Sequence, residues 1–355
     1  MRVWLDACTG KHVRYATAIA RELRARGHDV VLTTREHPDT VALAEALGED
    51  FLVVGRYHPG DRAGKLLESA RRTSLLARLF SDEAVRPDVA ICHQSVELCR
   101  VAFGLGVPIV CTSDSPHAVA VGRLTVPLVD VLVLSSALPA EPYLAMGAKR
   151  VERFDGVDEV AWARRPELGT GAGVRGLLEG LDGPVIVVRE EEHGAAYARG
   201  RGLMWEIALA LRDLGSVVFL PRYGRPPHLP DGIIVPEGFV DGFSLVGEAD
   251  LVLGVGGTLC REAALQGTPT IIIPYLGSRM HVNAFLAEKG FPIHELEPEP
   301  EAVLRRASEL IGRRRDVSGL LARLEDPIGL IAGLAEGLAR RPGKPGGAHG
   351  QEGGT

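Results

Sequence analysis

Several things are missing from this chain of 355 residues, and each omission narrows what it can be. It has no excess of positive charge: 40 Lys and Arg stand against 46 Asp and Glu, a formal net charge of −6. Non-specific nucleic-acid binding needs a basic surface, so that class is excluded. It has no long apolar run. The nearest, Val126 to Leu138, carries Asp130 and falls short of a membrane span. Its five cysteines (Cys8, Cys92, Cys99, Cys111, Cys260) are odd in number and mostly set in apolar segments. None has zinc-ligand spacing, so they read as reduced core thiols of a cytosolic protein. Met1 leads directly into the strand Val3 to Leu5, leaving no room for a signal peptide. The expectation is a cytoplasmic protein without a transmembrane segment, with peripheral membrane contact left open.

What is present is an alternation of short apolar strands and amphipathic helices. Strands are expected at Arg2 to Leu5, Val30 to Leu32, Phe51 to Val54, Val89 to Cys92, Pro108 to Cys111, Val131 to Leu134 and Val151 to Phe154. They imply a doubly wound α/β domain over 1–165. A glycine-rich stretch, 166–183, reads as the linker. A second α/β domain follows over 184–325, with strands at Val185 to Val188, Val217 to Leu220, Ile233 to Val235, Leu251 to Leu253 and Thr270 to Ile273. A C-terminal helix is expected at 326–340, and the low-complexity tail 341–355 is expected to be disordered. Two such domains place a ligand in the cleft between them.

The most informative stretch is Ala249 to Tyr275, ADLVLGVGGTLCREAALQGTPTIIIPY. A strand breaks at Gly254, Gly256 and Gly257, a helix begins near Thr258 with Arg261 and Glu262 in its first turn, and a second strand follows. This is a βαβ unit with its turn at the carboxyl edge of a parallel sheet. Glycines there let backbone N–H groups approach an anion, and the helix N-terminus favours negative charge. Glu262 would repel a phosphate but could accept hydrogen bonds from a ribose diol. The bland alternative is a plain tight turn with a dipole-matching glutamate.

These residues resemble the nucleotide-sugar glycosyltransferases of the GT-B fold, in particular the bacterial enzyme that adds N-acetylglucosamine to the peptidoglycan lipid precursor. The same stretch, the segment Met280-His281-Val282-Asn283-Ala284 with Leu286 to Gly290, and the loop Thr9-Gly10-Lys11-His12 carry the resemblance. Lys11 stands where a glycine is usual, and that enzyme's membrane-associating apolar patch is not evident. Arg86-Pro87-Asp88, the strand to His93, Gly106-Val107-Pro108 and Asp155-Gly156-Val157-Asp158 are similar to UDP-N-acetylglucosamine 2-epimerases. The acidic residues those epimerases carry after the Pro108 strand are replaced by Ser113-Asp114-Ser115-Pro116-His117. Residues 1 to about 325 look most like an uncharacterised, largely archaeal family of GT-B-like proteins related to both. The resemblance implies two Rossmann-type domains facing each other, and a ribose-binding role for Glu262.

The chemistry expected of such a fold is transfer of a sugar from a nucleoside diphosphate, UDP by resemblance, to an unknown acceptor. No Asp-x-Asp triplet is present to hold a metal ion, so N–H donors and cations are expected to serve the leaving diphosphate, with no metal and no cofactor beyond the nucleotide-sugar substrate. Donor-side candidates are Gly256, Gly257, Thr258, Glu262, His281, Asn283, and Arg189 and Arg222 after apolar strands; Thr9, Gly10 and Lys11 face them. His193 is a further phosphate candidate. As catalytic groups the first domain offers His12, Asp114 and His117, with Asp6 expected to orient the Thr9–His12 loop through its backbone N–H groups. For His117 a plain helix-start residue is an equal alternative. A 2-epimerase-like isomerase and a non-catalytic nucleotide-sugar sensor are the competing readings. Oligomeric state is left open.

Overall fold

The computed structural model describes residues 1–191, 202–222, 224, 228–274 and 280–340. His193, Tyr275 and the tail 341–355 lie outside the described residues. The chain folds into two parallel-sheet, Rossmann-like domains. The first sheet comprises β1 (Arg2–Ala7), β2 (Asp29–Glu36), β3 (Phe51–Arg56), β4 (Val89–His93), β5 (Ile109–Ser113), β6 (Val131–Ser135) and β7 (Val151–Phe154). Its order is β3-β2-β1-β4-β5-β6-β7. The second comprises β8 (Val185–Arg189), β9 (Ser216–Leu220), β10 (Ile233–Ile234), β11 (Leu251–Gly254), β12 (Thr270–Ile272) and β13 (Ile293–Glu295), in the order β10-β9-β8-β11-β12-β13. Strands β4, β5 and β6 are buried at every residue, which is why they read as continuous apolar runs and not as alternation. β13 has no counterpart in the sequence reading.

Caps fix the helices that flank the cleft. Thr9 accepts from the His12 backbone N–H and starts the helix Gly10–Ala25, and Ser95 starts Val96–Gly104 by accepting from Leu98 N–H. Within 166–183 a short helix, Val174–Leu178, packs Val174 against Val187, Val218 and Val252 of the second domain. The C-terminal helix expected at 326–340 runs from Pro327 to Ala339, and a short helix, Ser318–Leu321, precedes it. Asp326 caps the C-terminal helix and Pro327 sits in its first turn, where its missing N–H costs nothing. That last helix returns to the first domain, packing Ile328, Ile331 and Ala335 with Val3, Leu5 and Ile19. The chain therefore passes between the domains twice. The two crossings touch: Glu325 N–H donates to the Asp155 carbonyl at 2.8 Å, and Arg165 pairs with Asp326 at 2.8 Å. Among the described residues no helix is long and apolar enough to cross a membrane.

Candidate functional site

In each sheet the strand order reverses at one place, and ligands of open α/β sheets bind at the carboxyl ends beside it. In the first sheet this place lies between β1 and β4, followed by the Thr9–His12 segment and ended by His93 respectively. In the second it lies between β8 and β11, which end in Arg189 and in the Gly254–Thr258 turn. The two places meet. Arg261, on the helix Thr258–Leu265, reaches across the cleft to Asp114 at 2.8 Å and Glu159 at 2.7 Å, and Trp162 Nε1 donates to Glu262 at 2.8 Å.

A buried charge cluster forms at this junction. Lys11 Nζ lies 2.6 Å from Asp114, 2.8 Å from Asp158 and 3.8 Å from Glu159. His93 places Nδ1 2.7 Å from the Thr112 hydroxyl and Nε2 3.3 Å from Asp114. Burial opposes the charge on Lys11, but its three carboxylate neighbours outweigh it and hold the ammonium above its ordinary proton affinity. Burial would likewise raise Asp114; Lys11, His93 and Arg261 overcome it and hold the carboxyl well below its usual range. His93, Asp114 and Asp158 have the spacing to hold a metal ion, and Lys11 Nζ sits between the two carboxylates. Cys92, Cys99 and Cys111 form a second such group in the first core. Nearby, Arg14 donates to Asp241 and to the Leu168 carbonyl, a further tie between domains.

His12 is half-buried and pushed well below its usual value, first by burial and then by the neighbouring His93 and Lys11. Its Nδ1 accepts the Cys8 backbone N–H at 3.4 Å. A neutral imidazole that accepts at Nδ1 carries its proton on Nε2, so this arrangement presents a donor to the cleft. Asp114 meets both Lys11 of its own domain, at 2.6 Å, and Arg261 of the other, at 2.8 Å. His117 is exposed, two residues before the helix Val119–Thr125.

On the donor side Gly256 adopts φ +93°, and a Cβ there would lie 2.5 Å from Asn283 Nδ2 and 2.8 Å from the Met280 methyl, so only glycine fits. Asn283 is buried, donates from Nδ2 to the Gly256 carbonyl at 3.0 Å, and keeps its Oδ1 buried without a partner among the described residues. An orphaned buried acceptor of this kind is costly unless a donor arrives. His281 begins the same helix, His281–Glu288. Arg189 donates to the Leu220 and Pro221 carbonyls at the end of β8, while Arg222 is exposed and bound to the Glu190 carbonyl at 2.9 Å.

Two expectations are corrected. Glu262 is not in the first helical turn: Gly257 is the cap and Thr258 the first residue, so Glu262 falls one turn inward, buried against Trp162. Burial raises its pKa to about 7, with Arg14 opposing the shift. Asp6 does not hold the Thr9–His12 segment, which is no loop but the cap and first turn of the helix Gly10–Ala25. Asp6 lies buried beneath it and accepts from Arg72 (2.9 Å from Nη1), Ser95 and Thr33, because the buried guanidinium claims both its oxygens. Among residues given no chemical role by the sequence are His93, Asp158, Glu159, Arg261 and Arg14.

Residues 1–336 match the family described as protein of unknown function (DUF354), and the chain belongs to that family. An uncharacterised protein of Methanocaldococcus jannaschii is 30% identical over 339 residues, covering 93% of this chain and 96% of its own. Among solved structures, a putative UDP-N-acetylglucosamine 2-epimerase from Listeria monocytogenes superposes with a TM-score of 0.65 at 14% identity, covering 94% of each chain. The glycosyltransferase VinC, solved in complex with dTDP, gives 0.59 at 16% identity over 96% of this chain and 100% of its own. MurG from Acinetobacter baumannii gives 0.50 at 15% identity over 95% and 99%. These likenesses establish a fold shared with GT-B glycosyltransferases and 2-epimerases.

Proposed function

We propose that this member of the DUF354 family is a metal-independent glycosyltransferase that moves a sugar from a nucleoside diphosphate, UDP in our reading, to a hydroxyl acceptor. The observation that carries the reading is the meeting of the two strand-order reversals at one buried point, with the orphaned Asn283 Oδ1 beside the glycine turn. The diphosphate would rest on the N–H groups of Gly256, Gly257 and Thr258, with Arg189 and Arg222 beyond them. Asn283 Oδ1 would accept from a sugar hydroxyl, and His281 would stand beside it. Glu262 would exchange the Trp162 indole for the ribose hydroxyls. Arg261 also lies 3.3 Å from the Gly256 carbonyl and 3.4 Å from the Thr258 hydroxyl, so a diphosphate on this turn competes with Asp114 for its guanidinium. Drawing Arg261 away raises the proton affinity of Asp114, the group we assign as base; Thr9 and Gly10 place Lys11 and His12 against it.

Calorimetric titration with UDP, UDP-N-acetylglucosamine, GDP and ADP tests the reading. UDP is expected to bind, and Glu262→Ala to weaken it roughly 10-fold or more, as loss of the hydrogen bonds to the two ribose hydroxyls would. Absence of binding by every nucleotide would remove the proposal. The convergence of His93, Asp114 and Asp158 also favours a second reading, isomerisation at C2 of the sugar, which needs acid and base groups beside that carbon. Incubation of UDP-N-acetylglucosamine in deuterium oxide separates them. Deuterium at C2 without an acceptor marks the isomerase.

A further inference from the structure

On the far side of β1 from the acidic cluster, the first sheet presents a cation. From Thr34 to Glu36 in β2, the paired strand β3 runs from Val53 to Arg56, one residue more. The extra residue is taken up at Gly55, with φ +71°, and bulges of this kind re-aim side chains. Here the distortion brings Tyr57 under Arg35: the guanidinium lies 4.8 Å from the ring centroid, and His37 packs edge-on against the same ring at 5.1 Å. Arg35 Nε donates to the Cys8 carbonyl at 3.2 Å, which turns the side chain over the end of β1 toward His12. Its positive charge is felt at both Cys8 and His12. Among the described residues no carboxylate lies within ion-pair distance of this half-buried guanidinium, and its two terminal nitrogens have no hydrogen-bond acceptor.

We propose that Arg35, held by Tyr57 and the Cys8 carbonyl, is an anion-binding point on the acceptor side, so that the acceptor carries a phosphate or carboxylate as well as the hydroxyl that reacts. This rests on the transferase reading for its meaning. The site is then polarised about β1, with the hydroxyl directed to Asp114 and the anion to Arg35. With Nε held by Cys8, the planar guanidinium keeps its Nη1/Nη2 edge for the ligand, and that edge suits either anion.

The test uses the full chain and three probes with one carbon skeleton: glycerol 3-phosphate, glycerate and glycerol, titrated by ligand-observed NMR alongside UDP. Arg35→Gln retains a donor for the Cys8 carbonyl while removing the charge. Binding of glycerol 3-phosphate, of glycerate or of both, but not of glycerol, is expected, and which one binds identifies the anion. Arg35→Gln should weaken that binding roughly 10- to 100-fold and leave UDP affinity unchanged. Equal binding of all three, binding of none, or unchanged affinity in the variant would overturn the proposal. So would an equal loss of UDP, which would move Arg35 to the donor side. If UDP fails to bind the wild type while the charged probes bind through Arg35, the nucleotide reading falls and the anion site stands.

Discussion

Glu262→Gln should make this protein more stable at neutral and alkaline pH, and the size of the gain follows from the site. The wild-type carboxyl is buried beside Trp162, and its pKa rises from 4.5 to about 7. In the unfolded chain the group ionises near its ordinary value, so between those two pH values the folded state holds a proton that the unfolded state has released. Folding stability contributed by this group is therefore fully present below about pH 4.5 and is lost as pH rises through about 7. At about 1.4 kcal/mol for each tenfold change in proton affinity, the loss amounts to about 3 kcal/mol. Glutamine keeps an oxygen to accept from the indole but has nothing to ionise. Urea denaturation of both proteins from about pH 4 to about pH 8 should give curves that coincide at the acid end and diverge by about 3 kcal/mol at the alkaline end. All other titrating groups are common to the two and cancel. Curves that remain parallel would show that the carboxyl is already ionised in the folded state, and the burial argument would fail.

Gly256→Ala should cost about 1–2 kcal/mol for its left-handed backbone alone. The new methyl, 2.5 Å from Asn283 Nδ2, should also abolish measurable UDP binding by calorimetry. Lys11→Met takes the close cation from buried Asp158 and leaves Asp114 to Arg261, and should destabilise the fold by about 3 kcal/mol near neutrality, less as acid protonates the carboxylates; pH-resolved denaturation reads both. Arg261→Gln removes the guanidinium that spans the cleft, so the radius of gyration by small-angle scattering should rise. In the same variant Asp114 gains proton affinity, and the acid limb of the pH–rate profile should move upward.

How much of this was legible in the sequence depends on how local each feature is. The turn at Gly254–Gly257, the helix from Thr258 and the helix His281–Glu288 were readable because strand, glycine break and helical periodicity sit within one window. Asn283 falls inside that same helix, two residues past its start, and is held against Gly256. β13 was missed because three residues following Pro292, with His294 and Glu295 among them, look like a loop until Thr270 pairs with Ile293. The charge cluster was illegible for a different reason. Lys11 and Asp158 are 147 residues apart, as are Asp114 and Arg261, and only the order of strands brings them together. His93 closes a wholly apolar strand, where a polar residue signals nothing more than a strand end. No local pattern encodes which strands become neighbours, so the partners of a buried charge cannot be read before the topology is known.

The double passage of the backbone between the domains has a mechanical consequence. One tether permits swivel, twist and bend; two tethers lying side by side behave like the pins of a door and leave a single axis of swing. Here the pins are fastened to each other by the Glu325–Asp155 and Arg165–Asp326 contacts, and Gly156 lies so close to the Glu325 carbonyl that a Cβ would fall 2.2 Å from it. A hinge of this kind confines any opening of the cleft to the edge away from that line. It also follows that cutting the backbone once, in either passage, leaves the halves joined; both must be cut to part them.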